Sequence, residues 1–270
     1  MSATDAAGPG TRPGNDPPNA PGNIASPNRA QLTRTARRLT PLLDRFVFVG
    51  GHLAELLVTD RGAARPRQTD DVDVVVTVTT LAAYQRLVEE VMALGFQPDT
   101  SEGAPICRYR ARERGHTADG RDEGPWTLVL DVMPVGEEVL GFSNPWYPYA
   151  IASALPYRLA PALVIRGASA PAFLATKWAA FAGRGEGDYL TSHDVEDVLA
   201  VIAGRPAVTA EVAAAPPAVR HFIAAATRAF LDDPWADDVL ANAIPEARQF
   251  PALLRAAEAR LRALAVPPPG

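Results

Sequence analysis

Three acidic residues, Asp71, Asp73 and Asp131, are the side chains whose type and spacing most clearly suggest chemistry. Asp71 and Asp73 lie two residues apart in the run DVDVVV, and residues two apart share one face of a β-strand. Two neighbouring carboxylates disfavour each other's charge unless a cation lies between them. Because Mg²⁺ prefers oxygen ligands from carboxylates and phosphates, the pair predicts a magnesium site. The alternative is a solvated strand end that carries acids by chance.

Asp131 lies inside an apolar strand pattern, between WTLVL and Val132. A carboxylate in such a run is costly unless it is paired or holds a metal. It is therefore a natural third ligand of a two-metal site. The alternative is a structural aspartate that bonds to the backbone or to an arginine of the paired strand.

A pair of glycines, Gly50 and Gly51, follows the short apolar run FVFV. Glycines let the backbone approach a ligand closely, and the start of the following helix offers free N–H groups to an anion. His52 stands directly after the pair. The alternative is a simple tight turn, since neither a dinucleotide fingerprint nor a P-loop is present.

Lys177 is the only lysine among 26 basic residues. It falls in the middle of a helical apolar stripe, at about 100° per residue. There it either reaches out along the edge of the core or points at an anion, and a triphosphate suits a compact point charge. The stripe consists of Phe173, Leu174, Trp178 and Phe181.

Two further acids, Asp194 and Asp197, lie three apart on a helix that Thr191 or Ser192 is expected to cap. Acids in a first turn commonly complement the helix dipole. The functional alternative is that they order the site, with Arg184 as the connecting cation, or help to activate an acceptor.

The elements that position these residues follow from hydrophobic periodicity. Strands are predicted at 46–49 and 71–78, and helices at 52–58 and 81–94. The alternating run 106–112 and the apolar run 126–135 predict an antiparallel hairpin. In the first of these, Arg108, Arg110 and Arg112 share a face, which is either solvated or a basic track for an acceptor. From Pro171 the pattern is helical.

The expected fold is α+β, with a small mixed sheet followed by a helical C-terminal half. Residues 1–28, rich in proline and glycine, are expected to form a disordered tail. Residues 29–150 are assigned to a catalytic domain and residues 151–270 to a helical domain. The helical pattern at 30–45 should be interrupted at Pro41, and the segment after residue 208 carries no recognisable motif.

The composition excludes several classes of protein. The formal net charge of −5 and pI of about 5.4 argue against bulk electrostatic binding of nucleic acid. The single cysteine excludes a disulfide framework, and the four histidines show no zinc-ligand spacing. No apolar run approaches the roughly 18 residues that cross a bilayer. No membrane association and a cytoplasmic location are expected.

The order of these motifs resembles that of the nucleotidyltransferase superfamily of DNA polymerase β. That pattern is a glycine-rich turn, a D-x-D strand and a third acid on another strand, here Gly50-Gly51, Asp71-x-Asp73 and Asp131. The stretch 169–202 is similar to the helical region of the AbiEii/AbiGii-type nucleotidyltransferase toxins, where a helix lysine, a later arginine and a D-x-x-D element follow the catalytic domain. The toxins usually have a small hydroxyl residue where this chain has His52.

The resemblance implies Mg²⁺-dependent transfer of a nucleoside monophosphate from a nucleoside triphosphate (NTP), such as ATP, to an acceptor hydroxyl. It assigns Mg²⁺ to Asp71, Asp73 and Asp131, and the nucleotide phosphates to Gly50, Gly51, His52 and Lys177. The acceptor would be an RNA end or a protein, and an antitoxin would be a partner. Two alternatives are an aminoglycoside-type antibiotic nucleotidyltransferase and a non-catalytic nucleotide-binding regulator.

Overall fold

A central mixed sheet carries the acidic residues. The computed structural model describes residues 26–60, 62–116, 122–184, 187–244 and 250–266. Its seven strands are β1 (Phe46–Val49), β2 (Asp71–Val76), β3 (Gln97–Pro98), β4 (Arg108–His116), β5 (Asp122–Pro134), β6 (Leu155–Ala160) and β7 (Leu163–Gly167). Their order across the sheet is β3-β4-β5-β2-β1-β7-β6. The expected small mixed sheet followed by a helical half is confirmed.

The middle of the sheet is built from β-branched and aromatic residues. All four residues of β1 are buried, and β1 runs antiparallel to β2. In turn, β2 runs parallel to β5, and β4 and β5 form the predicted antiparallel hairpin. Both hairpin strands run further towards their connection than predicted, and residues 117–121 lie outside the described residues.

The first described helix, α1 (Pro27–Arg38), starts earlier than the sequence suggests. Ser26 caps it by accepting a hydrogen bond from the N–H of Arg29, and Pro27 suits its first turn. Residues 27 and 28, assigned above to the tail, therefore belong to the folded chain; residues 1–25 lie outside the described residues. The helix ends before Pro41, which lies in a separate 3₁₀ turn, Thr40–Arg45, as predicted.

The predicted helix after the glycine pair is a 3₁₀ turn, Gly51–Leu53, continuing into α2 (Ala54–Leu57). The predicted helix at 81–94 is α3 (Leu81–Ala93). The remaining helices are α4 (Glu137–Leu140), α5 (Tyr147–Ala152), α6 (Ala170–Arg184), α7 (His193–Gly204), α8 (Val208–Ala213), α9 (Pro217–Leu231), α10 (Ala236–Ala243) and α11 (Pro251–Ala265).

Two strands after residue 150 were not predicted. Their hairpin, β6 and β7, joins the same sheet because β7 pairs in parallel with β1. In β7 burial alternates, with Leu163 and Ile165 inside and Val164 exposed, so the strand covers one face of the core. Prolines and the short length of the two strands conceal their alternation in the sequence. Because the sheet continues to Gly167, the helical half begins at Ala170.

The helical half packs around the aromatic side of α6. The ring of Trp178 lies 6.1 Å from that of Phe230 on α9, and Phe181 lies 4.5 Å from Tyr189. These contacts fix α6 against α9 and against the segment that leads into α7, and so help to determine where Lys177 lies. Among the described helices, none has the length and apolar character to cross a membrane.

Candidate functional site

The parallel register of β2 and β5 brings the three predicted acids together. Asp73 is paired with Asp131 across the two strands, and Asp71 lies two residues along β2 on the same face. The alternate residues Val72 and Val74 are fully buried on the opposite face, as predicted. Each acid offers one carboxylate oxygen, and the three oxygens lie within 4.8 Å of one another. Three hard oxygen donors at this separation fit a divalent cation such as Mg²⁺.

Asp73 is the least compensated carboxylate of the triad. Its pKa is raised to about 8, first by burial and then by the negative charges of Asp71 and Asp131, against the opposing charges of Lys177 and Arg184. Nowhere in the described part of the chain does Asp73 have a hydrogen-bond or ion-pair partner. A cation held between these acids would favour its charged form.

The glycine pair lies directly against acidic side chains. Gly50 has φ +72°, and a Cβ at this position would lie 1.8 Å from Asp73 Oδ2. At Gly51 a Cβ would lie 3.1 Å from Asp197 Oδ2. Both glycines are therefore explained by close approach to the protein's own carboxylates, and their contact with phosphate stays a prediction.

His52 supports the backbone of the D-x-D strand. Its ring is 1% exposed, and Nδ1 donates a hydrogen bond to the carbonyl oxygen of Asp71 at 2.9 Å. Burial lowers the pKa of His52 to about 4, although Asp71 and Asp197 oppose this shift. The imidazole is therefore neutral at pH 7. Its direct contact with phosphate stays a prediction.

Lys177 points at an anionic partner, and that partner in this structure is a pair of carboxylates. Its Nζ lies 2.9 Å from Asp194 Oδ1 and 2.7 Å from Asp197 Oδ2. Burial would lower the pKa of Lys177, but Asp197 and Asp194 outweigh it and raise the value. A contact between Lys177 and a triphosphate stays a prediction.

Two arginines extend the ionic cluster that Lys177 forms with Asp194 and Asp197. Arg184 donates to both oxygens of Asp194, at 3.1 and 3.2 Å, which is the contact expected for the D-x-x-D element. Arg67 donates from Nε to Asp197 Oδ1 at 3.1 Å. Burial opposes ionisation of Asp194, but Lys177 and Arg184 together lower its pKa. The acids of α7 thus tie α6, α7 and the loop before β2 together.

Arg108 enters the acidic triad, a contact that the sequence suggested only as an unnamed arginine in the structural alternative for Asp131. Its Nε donates to Asp131 Oδ1 at 2.9 Å, and its Nη2 donates to Asp131 Oδ2 at 2.8 Å and to Asp71 Oδ2 at 2.6 Å. The alternative weighed for Asp131, an arginine of the paired strand, is thus present. Alternation in 106–112 placed Arg108 on a polar face, but only the hairpin register sets it opposite Asp131.

The loop that leads into β2 is held by polar contacts that were also missed. Asn28 donates to the carbonyl oxygen of Arg67 at 2.7 Å and accepts from the N–H of Thr69 at 3.0 Å. Thr69 donates in turn from Oγ1 to Asp71 Oδ1 at 3.1 Å. The two contacts of Asn28 carry no signal in the sequence, because they join residues 39 and 41 positions apart.

One cleft connects the triad with the cluster around Lys177. It has a volume of about 1390 Å³ and is lined by Asp71, Asp73, Asp131, Arg108 and Lys177 among others. Aromatic and amide side chains, Phe142, Asn144 and Tyr147, form another part of its wall. Because ligand pockets commonly measure about 300–1,000 Å³, this cleft has room for a nucleotide and part of a second substrate.

The sequence matches no family model and no curated protein. Among solved structures, an antigenic nucleotidyltransferase-like protein from Paracoccidioides brasiliensis is similar over 85% of this chain and 92% of its own, with a TM-score of 0.46 and 16% identity. JHP933 from Helicobacter pylori is similar over 90% of both chains, with a TM-score of 0.44 and 13% identity.

Proposed function

We propose that the protein is a Mg²⁺-dependent nucleotidyltransferase that moves a nucleoside monophosphate from an NTP to an acceptor hydroxyl. The observation that carries this proposal is the register of β2 and β5, which sets Asp73 beside Asp131 with Asp71 on the same face. A turn that only glycine tolerates at Gly50 lies against this triad, as the motif order of the superfamily implies.

In the proposed reaction the acceptor hydroxyl oxygen bonds to the α-phosphorus and the bond to the β-phosphate oxygen breaks. Pyrophosphate leaves, and the hydroxyl proton passes to a carboxylate of the triad. Asp71, Asp73 and Asp131 are the residues that would hold Mg²⁺, which would neutralise charge on the phosphates. The side chains of this chain orient the acceptor and the α-phosphate in the cleft.

The polar contacts around the triad support the assignment of Asp71, Asp73 and Asp131 to the active site. His52 and Thr69 fix the backbone and the carboxylate of Asp71. The ionic cluster of Lys177, Asp194 and Asp197 holds α6 and α7 at the edge of the same cleft. Such preorganised surroundings are what electrostatic catalysis requires.

For the acceptor, we propose an RNA end or a protein hydroxyl in a toxin-like role, with an antitoxin as partner. The size of the cleft supports this, since it exceeds what a nucleotide alone needs. Expression in a bacterial host should slow growth, and Asp73→Asn should relieve the effect. Equal growth of cells that express either protein would remove the toxin-like part of the proposal.

The reaction is tested by label transfer. The protein is incubated with Mg²⁺, each α-labelled NTP and a cell extract, and the RNA, protein and small-molecule fractions are counted. An aminoglycoside mixture in a parallel reaction covers the antibiotic-modifying alternative. Label in one fraction with wild type, and none with Asp71→Asn/Asp73→Asn, is the expected result. NTP binding without transfer would favour the non-catalytic alternative, which the pairing of Arg108 with Asp131 also favours.

A further inference from the structure

The guanidinium of Arg108 lies between two of the three carboxylates that would hold metal. It bonds to both oxygens of Asp131, at 2.9 and 2.8 Å, and to Asp71 Oδ2 at 2.6 Å. Arginine stays charged at all accessible pH values, and its planar fork matches a carboxylate. Asp131 therefore already has a permanent cationic partner on both of its oxygens.

The packing and register of β4 fix the position of Arg108 beside Asp131. Its neighbours Cys107 and Tyr109 are 3% and 5% exposed, so β4 is anchored in the core on both sides. The register pairs Arg108 directly with Asp131, and the side chain of Arg108 is 23% exposed. A cation that displaced this guanidinium from Asp131 would have to compete with the two charge-assisted hydrogen bonds that Arg108 donates to that carboxylate.

Asp73, unlike Asp131, has no cationic partner among the described residues. No hydrogen bond or ion pair of the described residues involves its carboxylate, although Asp71 and Asp131 both lie close to it. Asp71 has one oxygen bonded to Arg108 and the other to the hydroxyl of Thr69, which leaves further lone pairs for a metal. The acceptor capacity that remains in the triad is thus concentrated on Asp73 and Asp71.

We propose that Arg108 takes the place of one of the two divalent ions that a two-metal site would hold, so that the chain binds a single ion through Asp71 and Asp73. This inference rests on the proposed function, because it concerns the same triad. Arg108 then acts as a positioning residue that holds Asp131 and supplies fixed positive charge beside the single ion.

Counting bound Mn²⁺ tests this proposal without any turnover. Mn²⁺ is titrated into the full chain without nucleotide, and free Mn²⁺ is measured by electron paramagnetic resonance. Wild type is expected to bind one ion. Arg108→Gln, which frees Asp131, is expected to bind two, and Arg108→Lys, which keeps a cation, is expected to bind one.

Arg110→Gln is the matched control. Arg110 lies two residues along β4 and pairs with Asp99 at 2.6 Å, outside the triad, so its variant is expected to bind one ion. Two ions in wild type, or none, would overturn the proposal even if Arg108→Gln fails to fold. One ion in a folded Arg108→Gln protein would also overturn it. Because label transfer is not measured here, a failure of the proposed reaction would leave these counts unaffected.

Discussion

Gly50 lies so close to Asp73 that a Cβ on the glycine would stand 1.8 Å from Asp73 Oδ2. The strand-to-helix turn and the D-x-D strand are therefore in direct contact. The glycine permits the positive φ of 72° and also leaves space for the carboxylate. The turn motif and the metal-ligand motif, far apart in the sequence, form one unit of structure.

Gly50→Ala is expected to destabilise the fold and displace Asp73. A non-glycine residue at this φ costs about 1–2 kcal/mol, and the collision adds to that cost. Gly103→Ala is the matched control, since Gly103 has φ +77° with no atom within 4 Å of its Cβ position. Chemical denaturation of both variants measures the difference. Equal losses in the free energy of unfolding of the two variants would show that Asp73 moves away from residue 50 without a cost in stability.

Asp71→Asn and Asp73→Asn are each expected to reduce transfer by at least about a hundredfold, because several kcal/mol of transition-state stabilisation depend on the ligand charges. The fold should persist, since both side chains are partly exposed. Asp70→Asn, an exposed neighbour, is the control for charge. Initial rates of label transfer at saturating NTP provide the measurement. Full activity in Asp71→Asn would contradict the assignment of the triad.

Lys177→Met is expected to lower the free energy of unfolding by about 3 kcal/mol, because it leaves Asp194 and Asp197 buried without their shared cation. A second change, Asp197→Asn, should restore part of this loss. The side chain of Arg184 is 73% exposed, so Arg184→Gln should lower the free energy of unfolding by less than about 1 kcal/mol. Urea unfolding compares the variants. If Lys177→Met unfolds like wild type but no longer binds NTP, the lysine is a phosphate ligand and not a structural ion pair.

His52 is expected to make stability depend on pH. Its pKa is about 4 in the folded chain and 6.5 when exposed, so below pH 6.5 the unfolded chain binds a proton that the folded chain does not. Stability should therefore fall as the pH drops from 6.5 towards 4.

In His52→Asn the amide can still donate to the Asp71 carbonyl oxygen, but this titration is absent. Wild type should lose about 2 kcal/mol more than the variant between pH 7 and pH 5. Asp71, Asp197 and Arg67, which face the imidazole, are present in both proteins, so the difference isolates His52. An equal loss of stability in both proteins would show that the pKa of His52 is not lowered in the folded chain.

Period-two alternation was enough to predict that Asp71 and Asp73 share a face, and the apolar run 126–135 was enough to place Asp131 on another strand. The helical stripe likewise placed Lys177 among apolar residues, where contact with an anion was one of the two alternatives. These predictions depend on patterns within single elements. The pairing of Asp73 with Asp131, by contrast, depends on sheet register, and the resemblance to the superfamily implied only that the three acids share a metal site.

The remaining parts of the site depend on contacts that no local pattern records. A shift of one residue in the hairpin would turn Arg108 to the other face, and the alternation within each strand does not fix this register. Asn28 was assigned to a tail because its composition resembles the preceding residues, although its amide holds the loop before β2. The hairpin β6–β7 was missed because prolines and exposed residues conceal its alternation.

The most direct test of nucleotidyl transfer compares the fate of two labels on the same NTP. Wild type with Mg²⁺ and the responsive acceptor fraction receives either α-labelled or γ-labelled NTP. The account predicts that the α-label enters the acceptor and that the γ-label is released as pyrophosphate in equal amount. Entry of the γ-label into the acceptor, or loss of both labels to water alone, would contradict it.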